Sequence, residues 1–183
     1  MGYCIMGVTY TNTVQSTYEW LGGNTLSSDS ATWSISGTWT AYTDLIAIVL
    51  FQGTWSTDNG LVLRTVINGA SNFNYTYLQA NDSGTTGAVA TAGETTWFTG
   101  RCASSFGSNT QKSQHIIRFP QANNTTVGKT MWCQSNAYNA QTQVSMSAGS
   151  SYVTSAISSM TFSADAANVK AGSRVDIYGL KGA

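Results

Sequence analysis

A lone histidine acts as a general base only beside a nucleophile or a carboxylate. This chain has one histidine, His115, at the start of the run His115-Ile116-Ile117-Arg118-Phe119. Strand alternation sets its ring on the same face as Ile117 and Phe119. No motif brings a nucleophile or an acid to it, so it reads as a structural or interface histidine. Cleavage of a glycoside usually needs two carboxylates facing each other across a sugar. The eight acids (Glu19, Asp29, Asp44, Asp58, Asp82, Glu94, Asp165, Asp176) lie mostly singly in turns or at strand ends. Turn chemistry accounts for Asp58, Asp82 and Asp165. Asp176 shares a strand face with Arg174, two residues away, which suggests a structural ion pair or an interface contact. Two of the other acids could still meet in space, which keeps a polysaccharide depolymerase open as a third reading. The three cysteines, Cys4, Cys102 and Cys133, lack zinc-ligand spacing and read as buried free thiols. Thr57-Asp58-Asn59 and Asn81-Asp82-Ser83 each supply only a fragment of a calcium loop. The sequence therefore leads us to expect no catalytic residue, no metal and no cofactor.

Aromatic side chains are the richer resource. Six tryptophans and nine tyrosines stand in a chain full of Asn, Gln, Ser and Thr. Trp33, Trp39, Trp55, Trp97 and Trp132 fall in strand-like segments, where core packing is the first explanation. Tyr18, Trp20 and Tyr138 fall in less regular ones. Aromatics exposed beside amides suit sugar stacking or a subunit interface. Tyr75 and Tyr77 lie two apart in one strand and form a stripe, the candidate contact between copies of the chain.

The elements that carry these residues are strands. Trp33 and Ile35 alternate with serines. The segment 42–55 is apolar on both faces at its centre, as a central strand would be. Asn59-Gly60 is the strongest hairpin signal; Leu61–Ile67 is the next strand, followed by Asn68-Gly69 and the tyrosine strand Phe73–Leu78. The residues from Asn81-Asp82-Ser83-Gly84 to Gly93 read as a Gly/Thr/Ala-rich loop. Further strands follow at 95–101, 114–119, 130–135 and 141–146. The stretch 156–181 reads as a terminal antiparallel hairpin, with Met160 and Phe162 on one strand and Val175 and Ile177 on the other. Eight or nine strands at this cadence predict an all-β fold, an antiparallel two-sheet β-sandwich. Residues 27–183 form the sandwich domain, and 1–26 form an N-terminal arm or first strand.

Charged residues make up 9% of the chain and sum to zero net charge, against about 25% in an ordinary soluble domain. Without a field of Lys and Arg, a nucleic-acid partner is not expected. Near-zero charge favours association instead. The longest charge-free run lies between Lys129 and Asp165. It reads either as strands covered on more than one side, in part by neighbouring subunits, or as a Ser/Thr-solvated face. The start, MGYCIMGVTY, lacks the features of a signal peptide. The most apolar run, 44–51, is too short to cross a membrane.

The ending Ala156-Ile157-Ser158-Ser159-Met160-Thr161-Phe162, followed by AGSRVDIYGLK (171–181), resembles the close of a β-sandwich, usually jelly-roll, domain found in phage virion proteins. LVLRTVINGASNFNYTYL (61–78) resembles the same group's strand, Asn-Gly turn and tyrosine strand. Together the two segments cover about a third of the chain. The resemblance implies a jelly-roll fold, a place in the virion and no catalytic residue. Related domains occur on capsid decoration proteins and on tail or head fibres. A fibre normally carries an attachment segment and a shaft, and this chain shows neither. A structural, non-enzymatic homotrimer decorating the capsid is therefore the leading expectation. Its partners would be other copies and the major capsid protein or another virion protein, with Tyr3, Ile5 and Met6 in the arm lying across the neighbours. A receptor-binding fibre tip that recognises a host-surface glycan is the alternative.

Overall fold

The computed structural model describes residues 17–54, 61–104, 110–138, 142–165 and 167–181. These hold thirteen strands: β1 (Tyr18–Thr25), β2 (Thr32–Ser36), β3 (Asp44–Gly53), β4 (Val62–Ile67), β5 (Phe73–Asn81), β6 (Thr86–Glu94), β7 (Trp97–Arg101), β8 (Ala103–Ser104), β9 (Ser113–Phe119), β10 (Lys129–Tyr138), β11 (Thr142–Ser151), β12 (Ser159–Ala164) and β13 (Arg174–Leu180). The large sheet runs β1-β13-β3-β9-β10-β11-β5-β6, with short β8 parallel to the end of β3, and the small sheet runs β2-β12-β4-β7. Both sheets are otherwise antiparallel, which bears out the expected all-β sandwich.

The pairing has a nested order. β1 pairs with β13, β2 with β12, β3 with β9, and β4 with β7. The chain is thus one long folded-back ribbon whose successive pairs fall alternately in the two sheets, a jelly-roll-like arrangement. Two hairpins, β5–β6 and β10–β11, are inserted into this ribbon. They pair with each other through β5 and β11 and extend the large sheet beyond β9.

Period two fills the space between the sheets. Leu45, Ala47, Val49 and Phe51 of β3, Ile117 and Phe119 of β9, and Val175 and Ile177 of β13 point inward from the large sheet and are buried. Trp33, Met160, Phe162, Leu63, Ile67 and Trp97 meet them from the small sheet. The segment 42–55, read as central, is β3, held between β13 and β9. Gly179 of β13 lies where a Cβ would sit 2.5 Å from the Tyr42 ring, so a side chain there would obstruct the packing.

Three local expectations fail. The hairpin expected over 156–181 does not form: β12 lies in the small sheet and β13 in the large one. The link between them crosses the end of the sandwich, with Val169 buried and bridged to Ser30 and Gly53. The hairpin expected at Asn59-Gly60 does not form either: β3 and β4, on either side of it, fall in different sheets, as do β4 and β5 on either side of Asn68-Gly69, and Asn59-Gly60 itself lies outside the described residues. Alternation marks which face of a strand is buried but not which strand lies beside it, so such links resemble hairpins in sequence. The Gly/Thr/Ala-rich stretch expected as a loop is β6, paired with β5. Its small residues carry little strand propensity, and the partner strand supplies the order.

Asn68 and Gly69 adopt the expected left-handed turn, with φ of 49° and 67°. Asn68 does more than turn the chain. Its amide nitrogen donates to Ser155 Oγ (3.0 Å) and to the Ala156 carbonyl (2.8 Å), while its Oδ1 accepts from the backbone N–H groups of Ser158 (2.9 Å) and Ser159 (3.1 Å). One side chain therefore ties the β4–β5 crossover to the approach to β12. Asn68→Ala is expected to lose about 2 kcal/mol, from the unmade hydrogen bonds and from strain at positive φ. Asn68→Asp, which keeps the acceptor and tolerates this φ, should lose less. Urea denaturation of both variants checks this.

Candidate interaction surface

The residues best equipped for chemistry are buried. His115 has no exposed surface; its Nδ1 lies 3.1 Å from the Thr99 carbonyl and its Nε2 3.0 Å from Ser113 Oγ. A carbonyl only accepts, so Nδ1 carries the hydrogen of the neutral ring. Ser113, equally buried, has one hydroxyl hydrogen for two acceptors, His115 Nε2 and the Phe51 carbonyl 2.9 Å away. No substrate reaches a serine–histidine pair sealed in this way, and burial lowers the histidine's pKa to about 4. Cys102 and Cys133 are free and buried, and burial pushes both thiols well up. The thiol of Cys133 is directed at the Thr99 carbonyl, 2.9 Å away. Lys129 is buried too, with its ammonium among the carbonyls of Asn124, Val127 and Thr154. Among the described residues no group of three or more His, Cys, Asp or Glu could hold a metal ion.

Several carboxylates are engaged by bases or backbone. Asp165 accepts the fork of Arg64, with Nε to Oδ1 at 3.0 Å and Nη2 to Oδ2 at 2.9 Å. Asp176 accepts from Arg174 at 2.7 Å and from Trp20 Nε1 at 3.1 Å, and these bonds hold its pKa below the ordinary carboxylate range. Asp44 lies 3.5 Å from Arg118, and Glu19 lies 3.2 Å from Lys181 while accepting from Tyr42 at 2.8 Å. Asp29 and Asp82 accept from the backbone N–H groups of Ala171 and Thr142. Asp58 lies outside the described residues.

Tyr75 and Tyr77, expected as contacts between copies, point into the sandwich. Tyr75 is only 6% exposed, and its hydroxyl accepts from Arg64 Nη1 at 2.8 Å. Tyr77 stacks on Phe98 of β7 with centroids 3.8 Å apart and planes 15° apart. Arg64 sits 5.8 Å from the Phe98 ring centre. Burial works against the guanidinium's charge, but the bonds to Asp165 and Tyr75 outweigh it and hold its pKa above the usual arginine value. The stripe thus fastens β4, β5 and β7 together, which leaves Tyr75 little surface for a neighbouring subunit. Tyr3, Ile5 and Met6 lie outside the described residues.

The outer face of the large sheet divides in two. Around β1, β13, β3 and β9 it carries the paired charges Asp176–Arg174 and Asp44–Arg118. Across β10, β11, β5 and β6 the charges stop. These four strands hold only two charged residues, Glu94 at the end of β6 and the buried Lys129. Here Leu78, Val144 and Met146 are 61%, 55% and 49% exposed. Met146 pairs with Leu78 and Val144 with Ala80 across neighbouring strands, so the three cluster. With Gln134, Ala80 and Ala88 they line an apolar groove of about 630 Å³.

β11 is therefore turned inside out. Its serines Ser145, Ser147 and Ser151 are buried, while its large apolar residues face solvent. The cause lies across the sandwich, in β7. Gly100, at φ 126°, passes so near that a Cβ on it would sit 2.0 Å from Ser135 Oγ and 2.8 Å from Ser145 Oγ. A Cβ on Gly149 of β11 would likewise sit 3.0 Å from Trp97 Nε1. At these points of β10 and β11 only small side chains fit beneath β7. The charge-free run between Lys129 and Asp165 was legible in sequence as a surface without charge, but the inversion was not. Its one sequence signal is the alternation of Val144 and Met146 with Ser145 and Ser147. Compared with protein-family models, curated proteins and solved structures, the chain finds no match.

Proposed function

We propose that this chain is a structural, non-catalytic subunit of a phage virion, a homotrimeric capsid decoration or cement protein. The observation that carries the reading is the uncharged face around Leu78, Val144 and Met146. It stands on a sandwich whose histidine and cysteines are buried among the described residues. The resemblance of the 156–181 and 61–78 segments to phage virion domains gives the setting. A subunit that binds the assembled shell and not its free components stabilises the shell by mass action. Three copies of one patch in a trimer raise the effective strength of a weak contact. Locating the chain on virions by electron microscopy with a labelled antibody tests this. Label over the shell, together with a higher disruption temperature of shells carrying the protein, is the expected result. Label confined to the tail would overturn it.

Trp20, Tyr138 and Tyr152, all exposed, favour a second reading as a glycan-recognising fibre tip. Label at a fibre tip and saturable binding of the purified protein to host-surface polysaccharide would select it.

A further inference from the structure

We infer that the charge-free half of the large sheet, centred on Leu78, Val144 and Met146, is the surface by which copies of this chain meet. The inference rests on the homotrimeric reading and assigns the contact within it.

Three large apolar side chains at about half exposure or more, adjacent on neighbouring strands, exceed the scattered exposure normal for a soluble surface. Their placement is also costly to the isolated chain. β11 hides serines and shows solvent its valine and methionine, and Ser147 and Ser151 Oγ have no hydrogen-bond partner among the described residues. Burial of the outer face against another surface offsets that inversion, because it removes apolar area from water on the side where the strand carries it.

Size and charge select the occupant. Four strands, β10 to β6 in sheet order, span about 19 Å at about 4.8 Å spacing, and about eight residues at about 3.3 Å give about 26 Å of length. The flat area is then about 500 Å², which side-chain relief raises toward the roughly 600–800 Å² each partner contributes to a stable interface. A partner chosen by charge would need charges here to read, and β10, β11 and β5 present none on this side. Identical neutral faces can approach without repulsion. The apolar patch also continues to the free edge of β6, where Thr86–Thr91 carries no charge. A second copy fits all three facts, with the faces of the copies turned toward a shared axis.

Sedimentation velocity and native mass spectrometry on the full chain test this, with Leu78→Lys and Met146→Lys as variants. Tyr152→Lys, on an exposed residue beyond β11, is the control. Both interface positions already face solvent, so lysine there should leave the fold intact, which far-ultraviolet circular dichroism checks. The expected result is a trimer for the wild type and the control, with dissociation about 10-fold or more easier in either interface variant, since an unpartnered ammonium must be buried. If the variants hold together as tightly as the wild type, this face is not the contact and the trimer reading stands. If the wild type is monomeric at high concentration, self-association fails and the inference falls with it.

Discussion

Trp97→Ala is expected to remove about 4 kcal/mol of stability, near the top of the range for truncating a buried side chain. Trp97 is fully buried at the start of β7 and meets the Phe119 ring edge-on at 6.2 Å between centroids. It fills the space that Gly149 leaves open in β11. Truncation would leave a large void between two sheets held apart by β-structure on all sides, so the walls cannot collapse into it. Its Nε1 has no hydrogen-bond partner among the described residues. Trp97→Phe should therefore cost far less, because it keeps most of the ring while removing a buried, unsatisfied donor. A domain of this kind holds about 5–15 kcal/mol in total, so the alanine variant sits near the edge of folding. Thermal and urea unfolding of the two variants measure the difference. Equal losses would show that the ring's volume is not what holds the sheets together.

The second large effect is on pH. His115 stays neutral in the folded chain down to about pH 4 because it is buried, whereas an unfolded histidine takes up its proton near pH 6.5. Between those values the unfolded chain binds more protons, so stability rises with pH and is lost as pH falls. Integrated over the window, the loss is about 3 kcal/mol. The chain holds one histidine, and carboxylates as a class titrate mostly below about pH 5. The slope between about pH 5 and 6.5 is thus assigned to His115 alone. Urea denaturation at stepped pH should show it, and His115→Gln should flatten it, whatever that variant's absolute stability. An unchanged slope in His115→Gln would place the titration elsewhere.

Much of the fold was legible in the sequence because it is local. Period two at Trp33 and Ile35 and in 114–119 marked which side chains turn inward, since a strand offers only two faces. Asn68-Gly69 announced positive φ, and the structure has it. Arg174 and Asp176, two apart on one strand, were bound to lie side by side, and they bond at 2.7 Å. The scarcity of charge described a neutral surface before any fold was known.

Partnership between distant strands was decided only in three dimensions. Nothing within 156–181 says that β12 and β13 lie in opposite sheets, because each strand's pattern is satisfied by any apolar layer. The order follows from nesting β2–β12 inside β1–β13. Tyr75 and Tyr77 look like an exposed stripe until β7 sets Phe98 against them. Val144 and Met146 look like core until Gly100 closes the space beneath Ser135 and Ser145 and turns the apolar side outward. A strand's alternation records that its two faces differ; the width of the gap beneath it determines which of them is buried.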